Sequence, residues 1–391
     1  MRISSGVDWK HRGRSAIVGS ASAAAVIAVG LAAAPAGAQN AQPRSARFVT
    51  FSVPGATGGD GYGTFPTGFD PGRGVAVVGV WENSRTGNIF LRAANGTITP
   101  IKPPPGSIGW ASYRTINSAG TIAGFYKNAH NTTRGFLEPR SGSFAIFALP
   151  GGGEVYTAPP AINRNGVVTG IYSSARHNIA FIRDPDGAFT QFSAPGARAG
   201  TFPQSVNANG KIVGYYVTLV NGPAGFTSRF HGFIRTPDGT LTTYEAPGAS
   251  DTFLDSINAA GDIAGNYYDA GNTSHGFLLS AGGDFIPFDV LGAGAGHPGN
   301  PQGTFVAAIN SSRDITGYYY DSRSVFTRGY LRSQDGTIIT VDIPGAGNTT
   351  PVGINSNCVI AGSYSDKKTA TSHGFLRIPP SRSTSLAASC N

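Results

Sequence analysis

Three histidines, His231, His275 and His373, each open a His-Gly-Phe phrase, and three imidazoles are a familiar zinc set. Each stands at the same place in a different copy of one repeat, so a structural role repeated three times accounts for them, and no metal is expected. Cys358 and Cys390 are the only thiols. Two thiols alone make a poor zinc site, and in an oxidising compartment a disulfide between them is expected. Arg114, Gln204 and Asp255 are different: they occupy a repeat position that holds Thr67, Pro160, Ala307 and Val352 in the other copies. Side chains that change from copy to copy suit an asymmetric ligand. The variable stretches nearby add Trp110, Tyr113, Glu154, Tyr156, His130, His177, Asp251, Asp60 and His297. Aromatic faces with scattered polar groups suit a carbohydrate or another neutral ligand. Glu154, Asp251, Asp255, His130 and His177 also offer acid–base groups for a lyase or hydrolase, but no spacing brings a defined pair together. Nucleophile elbow, phosphate loop, dinucleotide fingerprint, metalloprotease helix and EF-hand loop are all missing, so no cofactor is expected. Asp184 and Asp186 flank Pro185 and read as turn residues.

The element that positions these residues is a repeat. Ile-Asn-x-x-Gly-x-Ile-x-Gly-x-Tyr is plain at 116–126, recurs at 162–172, 206–216 and 257–267, is worn at 309–319 and 354–364, and diverges at 69–81. Its Asn or Asp anchors are residues 70, 117, 163, 207, 258, 310 and 355, with spacings of 47, 46, 44, 51, 52 and 45. Those are periods of a four-stranded propeller blade. Each copy continues with a His-Gly-Phe-Leu-like strand, a turn that is often Asp-Gly, and an apolar-x-x-apolar strand ending in Pro-Gly. Asp-Gly between apolar runs predicts a two-residue hairpin turn. Asn followed three residues later by Gly predicts a turn with Gly in the left-handed region. The small residues two before each anchor, Gly68, Thr115, Ala161, Ser205, Ser256, Ala308 and Gly353, fit inner strands crowded at an axis.

The seventh copy runs into Pro379 and Pro380 without its fourth strand, while an orphan copy of that strand, Phe48 to Gly55, stands near the amino terminus. The expected fold is therefore all-β: a seven-bladed β-propeller of four-stranded antiparallel blades, with the amino-terminal strand completing blade seven. The turns between strands three and four, and all but one of those between strands one and two, keep one length. The other connections vary and emerge together, so the variable face is where binding is expected. Arg114, Gln204 and Asp255 are expected to begin the inner strands there and to line the mouth of the channel.

The repeated Ile-Asn-x-x-Gly-x-Ile-x-Gly-x-Tyr with His-Gly-Phe-Leu resembles the bacterial extracellular HAF repeat family. The resemblance covers essentially the expected mature chain. Arg134 and Arg328 depart from it in place of His, and the Asn310 and Asn355 copies lack the first Gly. It implies a secreted repeat protein and brings no reaction or catalytic residue to carry over.

The amino terminus supports export. Arg2, Lys10, Arg12 and Arg14 precede an Ala/Val/Ile stretch from Ala16 to Ala34, and Ala36-Gly37-Ala38 supplies a cleavage site. Residues 1–38 are expected to be a signal peptide, 39–46 a linker, and 47–391 a single propeller with a tail over 377–391. Loss of the leader removes four basic residues and one acid, so the charge falls from +8 to +5. The remaining basic residues form no stripe, which argues against nucleic acid. With 56 Gly and 26 Pro among 391 residues, a helical bundle or coiled coil is excluded. The expected protein is secreted or periplasmic, monomeric, free of the membrane after cleavage, and binds a polysaccharide or cell-envelope component. An extracellular lyase or hydrolase acting on a glycan or polyester at the channel mouth is the alternative.

Overall fold

Alternating apolar and polar residues, cut every few positions by Gly, Pro or Asn, give the chain no helical face, and every regular element described is a β-strand. The computed structural model describes residues 46–56, 62–83, 87–148, 161–173, 178–222, 225–296, 302–380 and 390, with the side chains of 109–114 among those left aside. The expected leader falls outside this set. No helix of the described residues is long and apolar enough to cross a membrane.

The fifth sequence copy shows the recurring unit. Its strands Asp251–Ile257, Ile263–Tyr268, Thr273–Leu279 and Phe285–Phe288 pair antiparallel in chain order. The seventh copy has three strands of its own, ending with Ser372–Ile378. The strand Arg47–Phe51 pairs antiparallel with that last one, Arg47 opposite Ile378 and Phe51 opposite Gly374. Short parallel bridges, such as Thr273 with Gln302 and Ser274 with Gly303, join units in pairs. The result is three sheets of eight strands and one of four.

Two kinds of turn set these lengths. After each anchor Asn the side-chain oxygen accepts backbone N–H groups, as Asn117 Oδ1 does from Ala119 at 3.1 Å and Thr121 at 2.9 Å, and Gly120 takes a φ of +81°. Where the copies lack that glycine, Arg313 and Cys358 hold the left-handed conformation, with φ of 67° and 60°. The Asp-Gly turns differ from the expected two-residue type. Gly187 N bonds Asp184 O and Asp184 N bonds Ala188 O, while only Gly187 has positive φ. This is a three-residue loop with Gly in the bulge position. Asp186 therefore needs no strained backbone, and its Oδ1 accepts from Ala188 N at 2.9 Å.

The core lies between successive units. Val213 of the fourth unit packs with Leu254, Ile263 and Phe277 of the fifth, and Val53, Val359 and Leu376 pack with Phe69, Val77 and Phe90 of the first. The third-strand Phe is fully buried in six units and is Tyr330 in the other. Arginines cover the outer edge. Arg92, Arg183, Arg235 and Arg332 lie over Phe51, Phe147, Phe192 and Phe288, at 5.1, 5.4, 5.1 and 5.1 Å.

The anchor asparagines do more than hold turns. Asn117 Nδ2 donates to the carbonyl of Asn163, Asn163 to Asn207, Asn207 to Asn258, Asn258 to Asn310 and Asn310 to Asn355, at 2.9 to 3.2 Å. Asn355 then donates to Gly74 O at 2.6 Å. The relay stops at the first unit, where the anchor is Asp70, whose carboxylate has no proton to donate. This cross-unit bonding explains why Asn, rather than any turn-forming residue, recurs.

Candidate functional site

A β-bulge interrupts the first strand of the units. Pairing skips Thr67, Gln204, Asp255, Ala307 and Val352, and at Arg114 the backbone does the same. The bulged residue is unpaired and its side chain re-aimed, which is the physical reason this position varies freely. These residues do not begin the inner strands as expected. Asp255 follows four paired residues of the strand Asp251–Ile257, and Gln204 follows Gly200 to Pro203. They sit further in from the strand ends, beside the small residues. Ser205 Oγ and Ser256 Oγ accept from Ile257 N and Ile309 N of the following units, each at 3.3 Å.

Asp255 is the centre of a polar site within aromatic walls. Its Oδ2 accepts from Asn266 Nδ2 at 2.8 Å, and Asn266 Oδ1 accepts from Val306 N of the next unit at 2.7 Å. Next to it runs a belt of rings across units four to six. Phe202 stacks on Tyr215 at 5.0 Å, and Tyr215 meets Phe253 at 5.0 Å. Phe253 meets Tyr268 at 5.8 Å, Tyr268 meets Phe305 at 6.4 Å, and Phe305 stacks on Tyr318 at 5.1 Å. Burial pushes the Asp255 carboxyl up to about 7, against the opposing pull of hydrogen bonding from Asn266. Burial, and then the Asp255 charge, push Tyr215 up to about 12, and Tyr318 rises likewise to about 12. Near neutral pH the phenols therefore stay protonated donors while Asp255 exchanges its proton. Such a carboxyl can accept from a ligand hydroxyl, or give and take a proton.

The other candidates divide. Asp251 is not free for a ligand through Oδ1, which accepts from Phe230 N at 2.8 Å and ties two units together. His130 is exposed at a hairpin tip, its N–H donating to Asn128 Oδ1, in the second unit rather than beside Asp255. Gln204 is half-buried at its bulge. Trp110, Tyr113 and Arg114 lie in the strand Ser107–Ile116, their side chains outside the described residues, and Glu154, Tyr156, His177, Asp60 and His297 fall outside altogether.

The repeated histidines serve the units. His231 Nδ1 bonds Glu245, His275 Nδ1 bonds Asp289 at 3.0 Å, and Arg328, in the equivalent place, bonds Asp342 at 3.0 Å. In each case the acid lies fourteen residues further on. His373 bonds Ser52 Oγ at 2.7 Å, so the amino-terminal strand supplies the partner there. His231 and His275 also stack on Tyr216 and Tyr267, at 4.9 Å each. Cys358 and Cys390 form a disulfide with 5.3 Å between Cα atoms. Buried Asp314 stands beside that disulfide, but bonded sulfurs are not metal ligands.

Sequence reasoning missed Asn266 and the ring belt. A signal existed: the residue after Gly in x-Gly-x-Tyr is Val80, Phe125, Ile171, Tyr215, Asn266, Tyr318 and Ser363 through the seven copies. It varies as widely as the bulge position.

No family model matches the chain, and no curated protein matches its sequence. Solved structures do. Virginiamycin B lyase from Staphylococcus aureus is 13% identical with a TM-score of 0.51, covering 85% of this chain and all of that one. The β-propeller domain of the Trilobed protease from Pyrococcus furiosus is 12% identical with a TM-score of 0.56, covering 80% and 95%. Acylaminoacyl peptidase from Pyrococcus horikoshii gives 12% and 0.53, covering 80% of this chain and 51% of the peptidase. At such identities the likeness concerns fold alone, and the fold of this chain is that of a β-propeller.

Proposed function

We propose that the chain is an exported seven-bladed propeller, closed by its amino-terminal strand, that binds a glycan or another envelope component at the mouth lined by Asp255, Asn266 and the ring belt. Closure is supported by the pairing of Arg47–Phe51 with Ser372–Ile378 and by the bonds from Asn355 to Gly74 and from Ser356 to Gly72. Export is supported by the leader layout, the disulfide and the HAF resemblance. The observation that carries the binding reading is the Asp255–Asn266 pair set among Tyr215, Phe253 and Tyr268. A carboxyl that accepts hydroxyl or amino donors beside ring faces is the recognition chemistry of a sugar.

The second reading, an extracellular lyase or hydrolase, is favoured by one feature, the Asp255 carboxyl held near neutrality where a general acid or base works best. A thermal-shift screen of soluble amino-sugar oligomers and envelope polysaccharides tests both. At a hundredfold excess over Kd a ligand contributes about 2.7 kcal/mol, or about 4 °C for a chain of this size. Asp255→Asn should lose most of that shift. An amino-sugar response that Asp255→Asn leaves intact would overturn the mouth reading. Release of reducing ends or unsaturated products by the parent protein alone selects the enzyme over the binding module.

A further inference from the structure

The ring belt stops at the seventh unit. The cross-strand pair one step before the pair that borders the bulge is Phe202 with Tyr215, Phe253 with Asn266 and Phe305 with Tyr318 in units four to six. In unit seven the same pair is Thr350 with Ser363. Two large rings are thus replaced by two small hydroxyl side chains, and the space opens as a groove of about 490 Å³ between Tyr318 and Tyr364. That volume falls within the range of roughly 300–1,000 Å³ usual for small-ligand sites.

The lining has an unusual chemistry. Eight of its ten residues carry a hydroxyl, one is Asn348, one is Val325, and none is charged. Asn348 Oδ1 accepts from Thr327 N at 2.9 Å and from Thr327 Oγ1 at 3.2 Å, which orients the carboxamide. Its Nδ2 and the hydroxyls of Ser363 and Ser372 have no intramolecular partner among the described residues. Donors and acceptors between two tyrosines, with no ion to pair, select a ligand rich in hydroxyls and free of charge.

We infer that this groove is a sugar subsite of its own, taking a neutral pyranose in the place of the missing Phe–Tyr pair. The subsite rests on the binding reading but not on Asp255, which lies in the fifth unit. An anionic sugar is disfavoured, since no cation lines the groove to balance its desolvated charge.

Titration calorimetry with neutral hexasaccharides (β-1,4-glucan, β-1,3-glucan, α-1,4-glucan and β-1,4-mannan), a polyuronate hexamer and a glucosamine hexamer tests this. At least one neutral oligosaccharide should bind. Thr350→Phe with Ser363→Tyr, which restores the pair of the sixth unit, should weaken it about tenfold or more, since the rings fill the groove and remove the hydroxyls that would bond the sugar. Tyr320→Ala, which removes a wall without filling the groove, should weaken it about fivefold and guards against misfolding of the double variant. Asp238→Asn, in a hairpin turn of the fourth unit away from the groove, should leave neutral binding within about twofold of the parent. The inference falls if no neutral oligosaccharide binds, if the filled groove binds as the parent does, or if the polyuronate binds in a Thr350- and Ser363-dependent way. Glucosamine binding that Asp255→Asn abolishes, with every neutral oligosaccharide silent, overturns this subsite and leaves the mouth reading standing.

Discussion

Phe51 offers the sharpest test of ring closure, because it packs both on the last strand of the chain and on the first unit. Its ring lies flush on Gly374, where an added Cβ would meet Phe51 atoms at 2.3 Å. It meets Phe90 edge-on at 6.1 Å and carries the Arg92 guanidinium at 5.1 Å. Replacing a buried Phe with Ala costs about 3–5 kcal/mol. Phe51 is half-buried, so the low end applies, and loss of the cation–π contact adds about 0.5–1 kcal/mol. The expected loss is about 3.5 kcal/mol. With an unfolding entropy of about 2.1 cal/mol/K per residue over roughly 345 residues, that is a fall in Tm of about 5 °C. Phe192→Ala is the proper comparison, since Phe192 carries Arg235 at the same 5.1 Å but pairs only within its own unit. In a closed ring the two variants melt alike by calorimetry. If Phe51→Ala stays within about 1 °C of the parent while Phe192→Ala falls by several degrees, the amino-terminal strand closes nothing and the closure argument is refuted.

Two further outcomes are expected. The disulfide joins residues 32 apart, so its reduction should cost about 3–4 kcal/mol in the chain-entropy account, read as a fall in Tm under reductant that Cys358→Ser reproduces. A protein whose Tm is indifferent to reductant would exclude a stabilising role. Asp255 has its folded-state pKa raised to about 7 from an unfolded value near 4, so the folded state holds the extra proton between those limits. Its contribution therefore weakens as pH rises from about 4 to about 7 and is flat above. Asp255→Asn should raise Tm relative to the parent at pH 8 and not at pH 4, and an identical difference at both pH values would show that the carboxyl is not buried as described.

The repeat was legible in sequence because the physical demands that produce it recur in every copy. Asn117, Asn163, Asn207, Asn258, Asn310 and Asn355 each hold a turn and each donate onward, so each must be Asn, and their spacing gave the strand order directly. The histidines recur for the same reason, each bonding a partner at the end of a neighbouring strand, while the acid fourteen residues on is hidden in the sequence because Glu245, Asp289 and Asp342 differ in type and Ser52 lies at the far end of the chain. The turn type at Asp186-Gly187 was misjudged because the dipeptide is common to two- and three-residue loops, and only the pairing of Asp184 with Ala188 decides between them.

The site resists sequence reading for the opposite reason: it is made where the repeat is broken. A bulge has no residue signature, so Asp255 looked like the start of a strand rather than a side chain turned out of its middle. Asn266, Thr350 and Ser363 each look like a worn copy until the strands are laid side by side and their partners are Phe253 and one another. Tyr330 shows that such breaks carry a cost. It replaces the buried Phe of the other units, and its hydroxyl is buried without a partner among the described residues. The same scaffold that tolerates one buried hydroxyl through its many equivalent contacts can hold a carboxyl near neutrality and an open groove in adjacent units. In a propeller the symmetric positions report stability, and the departures from symmetry on one face are where a ligand should be sought.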